Sequence, residues 1–181
     1  MVGFDDAPFS RAYRGDVLLV GAVYAATRLE GVLSTTVRRD GVNSTEKLAT
    51  VVEKSRFASQ LHGILLQGIA FAGFNVVDLY WLHEWLRVPI VAVARKTPDM
   101  EAVRRALLTR VPGGLRKWRL IERLGPMEPA AGVFVQRVGI SLQAAETLLQ
   151  RLAINSALPE PLRTAHLIAG GIALGESRHR A

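Results

Sequence analysis

Apolar residues recur along this chain in two rhythms, and the switches between them mark its elements. Asp16 to Tyr24 (DVLLVGAVY) and Leu29 to Arg38 (LEGVLSTTVR) are rich in Val, Leu and Thr and are separated by a short break, which predicts the two strands of a hairpin. Asp40-Gly41 signals a turn. From Asn43 to Gln60 the period changes: Leu48, Val51, Val52 and Ser55 fall at i, i+3, i+4 and i+7, the spacing of one helical face. Asn43 is placed to cap that helix, with Glu46 three residues on as in a capping box.

Ile64 to Gln67 (ILLQ) predicts a short buried strand. A loop punctuated by Gly68 and Gly73 follows, and helical periodicity returns from Val76 to Leu86, with Trp81 and Trp85 one turn apart. Ile90 to Ala94 (IVAVA) is a continuous apolar run, as expected of a strand covered on both faces. Thr97-Pro98-Asp99 carries the signals of a helix start: a cap, a proline in the first turn and an acid at the positive dipole end. Met100, Val103 and Leu107 supply the buried stripe of that helix, and Pro112-Gly113-Gly114 stops it. Further helices are predicted over Leu115 to Leu124, Ser141 to Leu152, and from Pro159-Glu160-Pro161 to about Ile172, with a strand over Val133 to Gln136. A leading antiparallel pair followed by βαβ units makes this an α/β protein with a mixed sheet. No repeat or linker interrupts it, and a single domain over residues 1–181 is expected.

Composition narrows the picture. The chain is 49% hydrophobic and 22% charged, the balance of a globular protein. It has no cysteine, which excludes a disulfide framework and thiolate metal sites. The first residues lack the basic and apolar regions of a signal peptide, and no uncharged apolar run reaches the roughly 18 residues of a membrane span. A cytoplasmic protein that does not enter membranes is therefore expected. The net charge of +7 suits a nucleic-acid partner, and equally an Arg-rich, heat-adapted proteome in which Asn is scarce.

Candidate chemistry is sparse. No P-loop, GxGxxG, HExxH or GxSxG pattern occurs. Gln67 is a polar residue delivered to the C-terminal end of a buried strand, where open α/β sheets place their ligands. Asp5 and Asp6 have the chemistry to hold Mg²⁺, and would equally serve in a solvated turn. Arg95 and Lys96 follow the IVAVA strand, where cations can neutralise a phosphate. Arg104, Arg105, Arg110, Arg116, Lys117, Arg119 and Arg123 come from consecutive helices. Arg116, Arg119 and Arg123 share a face opposite Leu115, Trp118 and Leu124, a layout for lining a phosphate backbone or for a solvated surface. His166, alone on the last helix, fits a packing role as well as a chemical one. The three tryptophans and apolar helices would also serve a homo-oligomer.

Together these segments carry a resemblance. The ending LPEPLRTAHLIA (Leu158 to Ala169) is similar to the C-terminal motif of endonuclease V. GFDDAPF, GIAFAGFNVVD, VARKTPD and PEPLRTAHLIAGGIALGES look like a largely archaeal family distantly related to endonuclease V. That resemblance runs over nearly the whole chain and implies a ribonuclease H-like fold, a DNA or RNA partner, and phosphodiester cleavage dependent on Mg²⁺ or Mn²⁺. It implies a catalytic set of Asp5, Glu46, Gln67, Lys96 and His166, with Asp5, Glu46 and Gln67 at the metal and Asp6 as compensation. With a nucleic-acid partner, the basic residues Arg95, Lys96, Arg104, Arg105, Arg116, Lys117, Arg119 and Arg123 are the expected contacts to it. Gln67 departs from the pattern, because endonuclease V carries the central metal carboxylate at that position. The alternative is a non-catalytic nucleic-acid-binding or interaction module that retains the fold.

Overall fold

The computed structural model describes residues 1–177; the last four residues of the expected 1–181 domain lie outside them. β1 (Val2–Asp6) leads into the long hairpin of β2 (Asp16–Ala25) and β3 (Arg28–Arg38), and α1 (Ser44–Glu53) follows. After β4 (Ile64–Gln67), the short strands β5 (Ala70–Phe71) and β6 (Asn75–Val76) form a separate hairpin ahead of α2 (Leu79–Leu86). Next come β7 (Ile90–Ala94), α3 (Met100–Arg110), α4 (Gly114–Leu124), β8 (Glu128–Ala130), β9 (Val133–Val138), α5 (Leu142–Leu152) and α6 (Glu160–Leu174).

Seven strands make one mixed sheet in the order β3-β2-β1-β4-β7-β9-β8. β1, β4 and β7 run parallel at its centre, and β2–β3 and β9–β8 flank them antiparallel. The centre must be covered on both sides, which is why β4 and β7 read as unbroken apolar runs. Ile64, Leu66, Ile90 and Ala92 pack with Leu48 and Val52 of α1 and Leu79 and Leu82 of α2. Leu65, Val91 and Val93 pack with Leu149 and Leu152 of α5 and Leu162 of α6.

One glycine decides how α6 sits. A Cβ on Gly3 would lie 2.6 Å from the carbonyl carbon of Pro161, so the helix rests directly on β1. Two strand residues rise about 6.6 Å and five helical residues about 7.5 Å. Contact of Gly3 with Pro161 therefore brings Asp5 under His166.

Several expected boundaries shift. The helix expected over Asn43 to Gln60 ends at Glu53, where the Ser55 hydroxyl donates to the Val52 carbonyl; only a 3-10 turn at Ala58–Gln60 follows. Asn43 makes no capping bond. Its Oδ1 accepts instead from the Arg38 amide at 3.0 Å and from Asn75 Nδ2 at 2.8 Å. Asn75 is fully buried, and its Oδ1 accepts from the Ser44 amide and hydroxyl, tying α1 to the β5–β6 hairpin. α2 begins three residues later than expected, after Asp78 accepts from the Trp81 amide. Asp99 rather than Thr97 caps α3, accepting from the Ala102 amide. Within the expected stripe of α3, Leu107 is buried but Met100 is exposed.

Candidate active site

Asp5 and Gln67 lie at the C-terminal ends of the adjacent parallel strands β1 and β4. The register pairs Phe4 with Leu66, so Asp5 and Gln67 are next in line and project to the same side as Gly3 and Leu65, the side of α6. There the Asp5 carboxylate meets His166, Nδ1 to Oδ2 at 2.8 Å, and its Oδ1 accepts from the Asp6 amide at 2.9 Å. Asp5 is 5% exposed. Burial raises its pKa, and the hydrogen bond and charge of His166 oppose that rise. His166 is pushed the same way, upward, chiefly by its bond to Asp5; burial and the nearby Arg95 charge oppose it. Gln67 Oε1 is buried here without a hydrogen-bond partner among the described residues. An orphaned buried carbonyl is costly, and it presents an acceptor to a donor or a cation.

Asp6 points to the opposite side of β1, and its Oδ2 accepts from the Ala72 amide of the β5–β6 hairpin at 2.7 Å. Its pKa is pushed up to about 6 by burial and by the charge of Asp5. A carboxyl whose folded pKa exceeds its unfolded value costs stability once ionised. The loss develops as pH rises from about 3.8 to about 6 and is complete above that. Asp6→Asn keeps an acceptor for Ala72 and removes the charge. Thermal unfolding at pH 7.5 should show a gain of about 1–2 kcal/mol that disappears below pH 4. A destabilised variant at pH 7.5 would contradict this assignment.

The structure sorts the remaining candidates. Val93 pairs with Gln67, so strand alternation carries Arg95 to the Asp5 side and Lys96 to the other. Lys96 lines a cavity of about 270 Å³ with Gly68, Phe74, Met100, Ile121 and Gln136, roofed by α3 and α4. Glu46, in the first turn of α1, lines a different cleft with Asp78, Trp81 and Arg116. Among the described residues no three His, Asp or Glu side chains converge on one point, and Asp5, Asp6 and Glu46 are not brought together.

The basic residues of α3 and α4 divide by exposure. Arg104, Arg105, Arg116, Arg119 and Arg123 are exposed, with Arg104 over Trp118 and Arg123 stacked 3.9 Å above the Tyr80 ring. Lys117 is the correction. It is buried with Ile121, and its ammonium donates to the Asp40 carbonyl at 2.6 Å, so it braces the site end of the fold. Burial lowers its pKa, against the charge of Asp40. The buried stripe of α4 is Gly114, Lys117 and Ile121, and Leu115 is exposed. Lys117 sits at the i+3 position between two buried neighbours, a periodicity signal that its charge hid.

The family profile of Endonuclease dU matches residues 1–173. The chain belongs to the Endonuclease dU family. A UPF0215 protein from Deinococcus radiodurans is 54% identical over 176 residues, covering 97% of this chain and 90% of the relative. A UPF0215 protein from Methanothermobacter thermautotrophicus is 44% identical over 185 residues, covering 100% and 91%. Among solved structures, a protein of unknown function from Archaeoglobus fulgidus matches with a TM-score of 0.88 at 31% identity, covering 95% of this chain and 96% of that one. Ciona intestinalis endonuclease V, solved with DNA containing an inosine followed by a ribo-adenosine, matches with a TM-score of 0.55 at 14% identity over 91% of this chain and 81% of that one. The mixed sheet is thus the ribonuclease H-like fold of endonuclease V.

In this Endonuclease dU family member, Asp5 and Gln67 are the oxygen donors that a divalent cation would meet here, and a single carboxylate is too little charge for a pair of ions. Asp5 supplies one carboxylate, and the unpartnered Gln67 Oε1 supplies a neutral oxygen on the neighbouring strand. Mg²⁺ and Mn²⁺ favour oxygen ligands and accept water in the remaining positions.

Proposed function

We propose that this protein is an endonuclease that cleaves DNA beside a deaminated base, dU above all. The Asp5–His166 contact next to Gln67, at the C-terminal ends of two central parallel strands, carries this reading. It is supported by the name of the Endonuclease dU family and by the inosine-containing DNA bound to Ciona endonuclease V. Uracil and hypoxanthine are the products of deaminating cytosine and adenine.

Asp5, ionised, accepts the Nδ1 proton of His166 and fixes the tautomer whose Nε2 accepts a proton. His166 Nε2 then takes a proton from water as the water oxygen bonds to phosphorus. The phosphorus–oxygen bond to the departing sugar oxygen breaks, that oxygen takes a proton from solvent water, and His166 returns its proton to solvent. Arg95, whose charge reaches His166, offsets charge on the phosphate. A divalent cation at Asp5 and Gln67, when bound, neutralises phosphate charge and polarises the phosphorus–oxygen bonds. The 270 Å³ cavity beside Gly68 is mostly apolar, with Gln136 and Lys96 as polar lining, and suits an extruded base.

The test is incubation with duplex and single-stranded DNA carrying one dU, with matched dT and inosine controls, in Mg²⁺, Mn²⁺ or EDTA. Strand scission is expected in the dU substrate and is expected to vanish in Asp5→Ala. Binding without scission under every condition would favour the non-catalytic module, the reading that Gln67 in place of a carboxylate supports. Scission that survives Asp5→Ala would overturn the assignment of the site.

A further inference from the structure

The loop that leaves β1 past Asp6 is built around a fixed aromatic ring. The Tyr13 hydroxyl donates to the Asp16 carbonyl at 2.8 Å, and the Tyr13 amide donates to the Ser10 carbonyl at 3.1 Å. Its ring lies across Gly15, where a Cβ would collide with it, so the glycine is required for this pose. The ring nevertheless stays 43% exposed, and Arg11 and Arg14, also exposed, stand on either side of it in the chain.

Two guanidiniums organise the loop: Arg14 Nη1 donates to the carbonyls of Arg11 and Tyr13 at 2.8 and 2.9 Å, and Arg39 reaches the loop from the end of β3. Arg39 Nη1 donates to the carbonyls of Ser10, Arg11 and Tyr13, and the same side chain pairs with Asp40 at 3.3 Å and lies over Phe9. Asp40 in turn accepts from the Phe74 amide at 2.9 Å and, through its carbonyl, from Lys117. The loop is therefore locked to the β5–β6 hairpin that also holds Asp6. Asp16 pairs with Arg38, Asp40 with Arg39, and Asp6 is turned onto the Ala72 amide, which leaves the rim of the loop cationic.

A held aromatic face between cations is the equipment for a single nucleic-acid strand: the ring stacks a base and the cations meet phosphates. We propose that the Ser10–Arg14 loop is a strand-gripping element, with Tyr13 stacking an unpaired base of the DNA and Arg11 and Arg14 contacting its backbone. It rests on the nucleic-acid reading above and adds a contact outside the reaction centre. Arg39 is the positioning residue, because it fixes the loop without facing the strand.

Fluorescence anisotropy with a labelled oligothymidylate at graded NaCl tests this. Tyr13→Ala should weaken binding roughly tenfold or more, and Tyr13→Phe, which keeps the ring, should bind like the wild type. Arg11→Ala combined with Arg14→Ala should flatten the slope of log affinity against log salt by about 1.4, two phosphate contacts at ~0.7 each on a single strand. A misfolded loop would not give the Tyr13→Phe rescue. A wild type that fails to bind oligothymidylate, or Tyr13→Ala and double-arginine variants that bind with wild-type affinity and slope, overturns the proposal. Binding that depends on the loop in a protein that never cuts dU-containing DNA would sink the nuclease reading and leave the strand grip standing.

Discussion

His166→Ala is expected to lower the rate of cleavage at dU by about 10²–10⁴-fold, the range for removing a general base. Affinity for uncut DNA should stay within a few-fold, because in the proposed mechanism the imidazole acts on water and not on the strand. His166 is also the partner that offsets the burial of Asp5, so its loss leaves a buried carboxylate less satisfied. A cost of about 1–3 kcal/mol in folding stability should accompany the loss of rate. The pH profile separates the two effects. His166 accepts a proton only when neutral, and its bond to Asp5 raises its pKa above the ordinary value of 6.5. The acid limb of the rate should therefore lie above pH 6.5, and in the residual activity of Asp5→Asn it should move to lower pH. The stability that a raised histidine pKa contributes is complete below 6.5 and fades as pH climbs through the folded value. A rate limb insensitive to Asp5→Asn would show that another group takes the proton.

Gln67→Asp is expected to convert an orphaned carbonyl into a second carboxylate beside Asp5. Adjacent strands lie about 4.8 Å apart, so two buried acids at one register position repel each other strongly. In EDTA the variant should lose about 1–3 kcal/mol of stability, seen as a lower unfolding midpoint. Mn²⁺ should reverse that loss, because a ligand that binds only the folded state raises its stability by mass action. Calorimetric Mn²⁺ affinity should rise at least tenfold over the wild type, while Asp5→Ala should abolish binding in both backgrounds. An unchanged midpoint in EDTA together with unchanged Mn²⁺ affinity would mean that positions 5 and 67 do not share a site. Faster Mn²⁺-dependent cleavage would identify the missing charge as the limiting defect of this centre. Tighter metal binding without faster cleavage would place the defect in the attacking-water side, at His166.

The fold was legible where periodicity and packing agree. ILLQ and IVAVA read as buried strands, and they are, because central parallel strands are apolar on both faces. The sites of disagreement are places where local signals meet distant partners. Asn43 looks like a helix cap, and Asn75 takes it over from more than thirty residues away. Lys117 looks like part of a solvated basic face, and the Asp40 carbonyl draws it inside. β5, β6 and β8 escape a reading by pattern, because strands of two or three residues are shorter than the alternation that would reveal them.

The candidate site divides in the same way. Sequence alone marked Gln67 as the polar end of a buried strand, Asp5 as an acid with the chemistry to hold Mg²⁺, and His166 by likeness to the endonuclease V ending. It also established the mixed α/β class and the cationic surplus, since composition and periodicity are properties of the chain itself. Only the tertiary structure put His166 on Asp5 at 2.8 Å, turned Asp6 to the far side of β1, left Glu46 in another cleft, and put Arg95 rather than Lys96 on the Asp5 side. Those outcomes depend on strand register and on how closely α6 lies on Gly3. A side chain's face follows from alternation along its own strand, but its neighbour is set by a strand or helix up to 161 residues away, and no local pattern encodes that distance.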